Sequence, residues 1–146
     1  MKSFNFKLEK ILKLREYRER ETELELGKAV GVLSALELRI KNIAQEKVLA
    51  VENRFSGQSF NEMRSYEFYI LRLDKTRDTL LEAAARAELE VEQARKIYLE
   101  ASRDRKVISK LKERQEKEHR RAMNLEEIKI IDDLSGGVVA RKVAGI

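Results

Sequence analysis

Apolar residues recur along this chain at alternating intervals of three and four. Steps of seven from Leu12 reach Glu19, Leu26, Leu33 and Ile40, and a second series runs Leu8, Arg15, Thr22, Ala29, Leu36, Ile43 and Ala50. This heptad spacing keeps both series on one stripe of an α-helix and predicts a two-stranded seam. Between Arg15 and Glu23 the stripe is thin, because REYRERETE offers only Tyr17 as an apolar residue. Glu and Arg are good helix formers, so the helix is expected to pass through with a weak seam. The first helix is predicted over about residues 6–53.

The pattern breaks at NRFSGQSFNE. Gly57 gives the backbone freedom to turn, and Ser59 with Glu62 three residues later has the spacing of a capping box. After a turn at about 54–60, the series Ile70, Arg77, Ala84, Val91, Tyr98 and Leu73, Leu80, Ala87, Ala94, Ala101, Ile108 restore the heptads. They predict a second helix over about 61–134. Folding the chain at the centre of the break sets Leu33 against Leu80, Ile40 against Leu73, Ile43 against Ile70, Leu26 against Ala87 and Leu12 against Ala101. Leu36 near Arg77 and Glu19 near Ala94 are the exceptions. The expected fold is all-α: an antiparallel two-helix coiled coil, or long helical hairpin, over residues 1–134. At 1.5 Å per residue the helices measure roughly 70 and 110 Å, so the second overhangs the first. The overhang comprises the basic segment and MNLEEIKIIDDL. The last residues, 135–146, follow Gly136 and Gly137 and are expected to form a flexible, disordered tail.

Composition agrees with helix. Among 146 residues, 31 are Lys or Arg and 26 Asp or Glu, so 39% are charged, against about 25% in an ordinary globular domain. There is no proline, the residue that breaks helix interiors. No cysteine is present either, which removes disulfides, thiolate nucleophiles and cysteine-ligated zinc. No apolar run approaches the ~20 residues of a membrane span, and MKSFNFKLEK lacks the apolar region of a signal peptide. A soluble, cytoplasmic protein without membrane insertion is expected.

Chemistry for catalysis is sparse. His119 is the only histidine and lies among KEHRR, on a face expected to be solvated. No cluster of metal-ligating residues and no phosphate loop stands out, and a two-helix rod offers no water-excluding pocket. No enzyme activity and no cofactor are expected. Gly27 and Gly31 form a G-x-x-x-G pair whose contact meaning belongs to lipid-embedded helices. In this helix they are expected to soften it, by about 1 kcal/mol each relative to alanine. The net charge of +5 is local: residues 103–121 hold nine Lys or Arg and four acids, and the remainder of the chain balances. Such a segment could meet phosphates, but its acids and its lack of aromatics favour a solvated face or docking on an acidic protein surface. Near the break, Tyr66, Phe68 and Tyr69 cannot all face one partner helix, because neighbours are about 100° apart. At least one is expected to be exposed, as a contact for a partner or as closure of the turn.

The residues Phe4, Phe6, Leu8, Ile11, Leu12, Leu14, Arg15 and Glu16 form an opening Phe-x-Phe-x-Leu-x-x-Ile-Leu-x-Leu-Arg-Glu. This opening resembles the start of flagellar export proteins of the FliJ family. The chain length, the break near the first third, the run Arg103, Arg105, Lys106 and the late Glu126, Glu127, Ile131, Asp132 are similar as well. The resemblance implies a cytoplasmic component of the bacterial flagellar type III export apparatus, peripherally associated with the inner membrane at the flagellar base and so tied to motility and chemotaxis. It implies a stalk-like coiled coil, monomeric when alone. Its partners would be the export ATPase hexamer, the cytoplasmic domain of the export gate and export chaperones, with no nucleic acid. Laid on this sequence, the family's gate stripe falls on Tyr69, Leu73, Thr76 and Leu80. Leu80 departs in kind from the polar residue expected there, and the heptads put both leucines in the seam. The gate-contact candidates are therefore Tyr66, Tyr69, Leu73 and Thr76. The ATPase-contact candidates, at the open end of the hairpin, are Arg15, Arg18, Arg20, Arg103 and Arg105. A coiled-coil adaptor, scaffold or prefoldin-type chaperone stays open as an alternative, as does nucleic-acid binding through residues 103–121.

Overall fold

In the computed structural model, residues 2–56 and 59–145 are described. They form two helices, α1 over Glu9–Asn53 and α2 over Phe60–Val143, of 45 and 84 residues. The helices pack against each other as a helical hairpin, with α2 the longer and no strand among the described residues. The predicted fold class is the observed one. The expected turn at Gly57 lies outside the described residues, but the capping bond beside it is made: the Glu62 amide donates to Ser59 Oγ at 3.4 Å. At the other side of the break, Ser56 Oγ donates to the Asn53 carbonyl at 2.8 Å and satisfies one of the last acceptors of α1.

The chain divides into two compact units, one formed by residues up to Tyr17 with those from Ser102 onward, the other by Arg18–Ala101. In the second unit the buried positions are Ala50 on α1 and Ile70, Leu73, Leu80, Ala84, Ala87, Val91 and Ala101 on α2. Leu26, Leu33, Leu36, Ile40 and Ile43 are half-buried. These are the heptad positions. Salt bridges run along the flank: Lys47 Nζ to Asp74 Oδ1 at 2.6 Å and Arg54 Nη1 to Glu67 Oε1 at 2.8 Å.

Those pairs correct the expected register. Lys47 should lie opposite position 66 but binds Asp74. In the other unit Leu12 packs with Ile108 instead of Ala101, seven residues further along α2. A slide of about one heptad leaves every seam position in the seam, so the apolar pattern alone cannot distinguish the two registers. The connection decides. Arg54, the first residue after α1, reaches Glu67 on the second turn of α2, so α2 begins beyond the last residue of α1.

In the unit built from the two chain ends, α1 starts at Glu9, three residues later than predicted. The reason is Phe6, which is buried with Leu12 and Ile108 while Phe4, Leu8 and Leu111 pack around them. Removing an aromatic ring from water offsets the loss of one helical turn. Phe4 stacks near Phe6 at 6.5 Å between ring centroids and meets the His119 ring at 5.6 Å. His119 Nε2 donates to the Lys2 carbonyl at 3.1 Å. His119 is thus half-buried beneath the N-terminal segment and does not lie on a solvated face. Lys112 closes the flank on Glu9 at 2.9 Å. The basic segment is accordingly packed by the N-terminal residues, and the overhang begins only after Met123. The helical backbone then runs through Gly136 and Gly137 to Val143, beyond the end at Leu134 that the sequence pattern predicts.

Candidate functional site

The turn side of the Arg18–Ala101 unit carries most of the chain's aromatic surface. Because seam positions recur at three and four, Met63, Tyr66 and Ile70 point inward, and residues between them are left outside. Phe68 is 57% exposed, Phe55 66% and Phe60 78%. Arginines lie over two of these rings: Arg54 is 4.3 Å from the Phe55 centroid and Arg64 is 5.7 Å from that of Phe68. Arg72 is 5.9 Å from the Tyr69 ring. Aromatic and arginine side chains are the residues that most often dominate protein interfaces.

The four gate-contact candidates separate here. Tyr66 and Tyr69 are half-buried and Thr76 is exposed. The Tyr69 hydroxyl donates to Glu46 Oε2 at 3.3 Å. Loss of solvent, then the Glu46 carboxylate, raises this hydroxyl above its ordinary pKa. Thr76 Oγ1 donates back to the Arg72 carbonyl at 2.9 Å. Leu73, by contrast, is buried in the seam, as is Leu80. A side chain already occupied by the partner helix has nothing left to offer another protein, so Leu73 leaves the exposed set. Phe55 and Phe60 are not singled out by the heptad pattern; two phenylalanines flanking a Gly-Gln break with no heptad role are the signal that marks them.

The arginine candidates also differ in setting. In the unit of the chain ends, Arg15 is half-buried and its Nη1 donates to the Asp104 carbonyl at 2.9 Å. Arg105 is half-buried and engaged, and Arg103 is exposed. Arg18 and Arg20, both exposed, belong to the other unit. Along the outer side of the basic segment, Lys110, Arg114, Lys117 and Arg121 share a shallow groove with Glu113 and Glu118, and Arg114 binds Glu118 at 3.3 Å. Signs alternate on this face, which does not form the unbroken positive stripe that phosphates favour.

Beyond it, every side chain from Asn124 to Gly145 is exposed. Ile128, Ile131, Leu134 and Val138 follow each other at three or four residues and fall within about a third of the helix circumference. No group of three metal-binding side chains occurs among the described residues. No helix of the described residues is long and apolar enough to cross a membrane.

The family model of the flagellar FliJ protein matches residues 4–144. This chain belongs to the FliJ family. The match runs through both helices, from the Phe4–Phe6 cluster to the end of α2, and gives the protein a role associated with flagellar export. No curated protein and no solved structure matches it.

Proposed function

We propose that this FliJ-family chain is a non-catalytic link of the flagellar export apparatus. In this reading it joins the export ATPase ring to the cytoplasmic domain of the export gate, promotes the ring's assembly and activity, and escorts export chaperones. It works at the inner membrane from the cytoplasmic side without inserting. The observation that carries the reading is the apolar stretch of α2 after Met123, whose side chains are all exposed. A helix of some twenty residues rich in exposed aliphatic side chains, left unpaired beside a basic segment, is suited to enter a groove or a central opening in a protein partner. Arg103 and the neighbouring lysines supply a positive collar for acidic partner surfaces. The gate contact falls to the aromatic–arginine turn, with Tyr66, Tyr69 and Thr76 joined by Phe55, Phe60 and Phe68.

The test is hydrolysis of ATP by the cognate export ATPase with and without this protein. Stimulation is expected from the full chain. A chain ending at Met123 is expected to lose it, and Arg103→Glu to reduce it. Absence of any stimulation, with a competent ATPase hexamer, overturns the reading.

A further inference from the structure

Six cations of the basic segment share one line on α2. Arg103, Lys106, Lys110, Arg114, Lys117 and Arg121 follow at intervals of three and four. With 3.6 residues per turn, that spacing keeps them within about 80° of the circumference over roughly 27 Å. All six are exposed. The line runs opposite the side of α2 that carries Ile108, Lys112, Gln115 and His119, which are buried or half-buried. Packing inside the chain therefore does not call for these cations. Their spacing also weakens the helix, because each has a like charge three or four residues away, whereas the remainder of the chain carries as many acids as cations. Among the described residues only Arg114 of the six pairs with an acid, Glu118 at 3.3 Å.

We propose that this line docks an acidic α-helix of a partner protein, laid along α2 with its carboxylates at the same intervals of three and four. The proposal gives the positive collar of the export link a helical ligand, and it rests on that reading for the protein that supplies the helix.

Geometry selects a helix over a phosphate surface. Signs on the outer side of this segment alternate around α2 and not along it: Glu113 stands at one edge of the line and Glu118 at the other. A bilayer or a nucleic-acid backbone covers a broad part of a helix and would meet both acids. A single helix packs along a narrow strip and meets the cations alone. Aromatic side chains, on which bases stack, are absent from residues 103–121. Beyond Arg121 the line reaches Ile128, 53% exposed, with Leu125 beside it, so the partner helix should carry an apolar residue at the end that lies there. Exposed ion pairs are weak singly and are screened by salt. Affinity therefore comes from their number, with a dissociation constant on the order of 10–100 μM at low salt.

The probe is a labelled synthetic helix of about 26 residues, the span from Arg103 to Ile128, with six glutamates spaced as the cations are and a leucine at one end. An isomer spreads the same six glutamates evenly around the helix. Fluorescence anisotropy with the full chain should show the aligned peptide binding at least about tenfold more tightly than the isomer. Lys106→Gln with Lys110→Gln and Lys117→Gln should weaken the aligned complex at least about tenfold, with helicity by circular dichroism unchanged. Replacing all six cations by glutamate should transfer binding to the aligned peptide's lysine counterpart. Equal binding of the two isomers overturns the proposal, since it leaves only diffuse charge. Tighter binding to phosphatidylglycerol vesicles or to a DNA duplex than to the aligned peptide at the same salt overturns it in favour of a phosphate surface. If the export ATPase is stimulated while the aligned peptide fails to bind, this proposal falls and the link reading stands. Binding of the aligned peptide without stimulation supports the docking line and removes the link reading instead.

Discussion

The pair formed by Lys47 and Asp74 ties the two helices together at one point on the flank of the seam. The hydrogen bond from Lys47 is the main cause that holds the Asp74 carboxyl below its ordinary pKa. A carboxyl depressed in the folded state stabilises the fold above its unfolded pKa, and that contribution disappears as pH falls through the folded value. Asp74→Asn is therefore expected to lower the melting temperature at pH 7. The difference from the parent should shrink as pH falls below the ordinary carboxylate range near about 4, and vanish once the depressed folded-state carboxyl is protonated as well. Thermal melts by circular dichroism across pH check it; a gap that persists at low pH would mean that shape, not charge, is at issue. Lys112 has the opposite sign. The bond from its ammonium to Glu9 raises its pKa, so that contribution is present at neutral pH and lost only above about pH 10. His119 acts through packing: its ring lies under Phe4 and its Nε2 holds the Lys2 carbonyl. His119→Ala should release residues 2–8, seen as faster amide exchange at Phe6 and Leu8 with little change in the second unit.

Helices write their apolar stripe directly into the order of residues, so both elements and the identity of their seam positions are legible in the heptads alone. Any feature that leaves the stripe unchanged is not. The one-heptad slide is of this kind: Leu12 meets Ile108 in place of Ala101, and both positions belong to the same series. The start of α1 is another, because Phe6 fits a helical period yet gains more by folding over Leu12 and Ile108. The late glycines mislead for a third reason. Gly136 and Gly137 are poor helix formers, but each costs only about 1 kcal/mol relative to alanine, and α2 continues through them. Gly136→Ala with Gly137→Ala should raise the helical signal of the full chain and slow amide exchange from Ile131 to Val139. In the seam, Leu80→Ala should cost about 2–3 kcal/mol, toward the lower end for a core leucine because a two-helix seam can partly close over the gap. Denaturant melts measure it. A cost below about 0.5 kcal/mol, typical of surface positions, would contradict the burial of Leu80.

For the molecule as a whole, the candidate sites are legible in the sequence only where they coincide with disruption of the stripe. Tyr66, Tyr69 and Thr76 stand out beside the break; Phe55 and Phe60, which no heptad uses, do not. A binding surface on a coiled coil has no concavity, no perturbed catalytic group and no ligand constellation, so its function becomes readable through the family match and through what the fold leaves uncovered. Folding and binding should then separate along the chain. Deleting residues 124–146 removes side chains that are exposed from Asn124 to Gly145, so the remaining hairpin should lose less than about 1 kcal/mol of stability. The same deletion should abolish stimulation of the export ATPase. Denaturant melts and hydrolysis assays on one preparation measure both. If stability and stimulation fell together, the last two dozen residues would be part of the fold rather than a surface held ready for a partner. If both survived, the contact with the ATPase would have to lie before Asn124, with the exposed arginines at 18, 20 and 103 as the next residues to change.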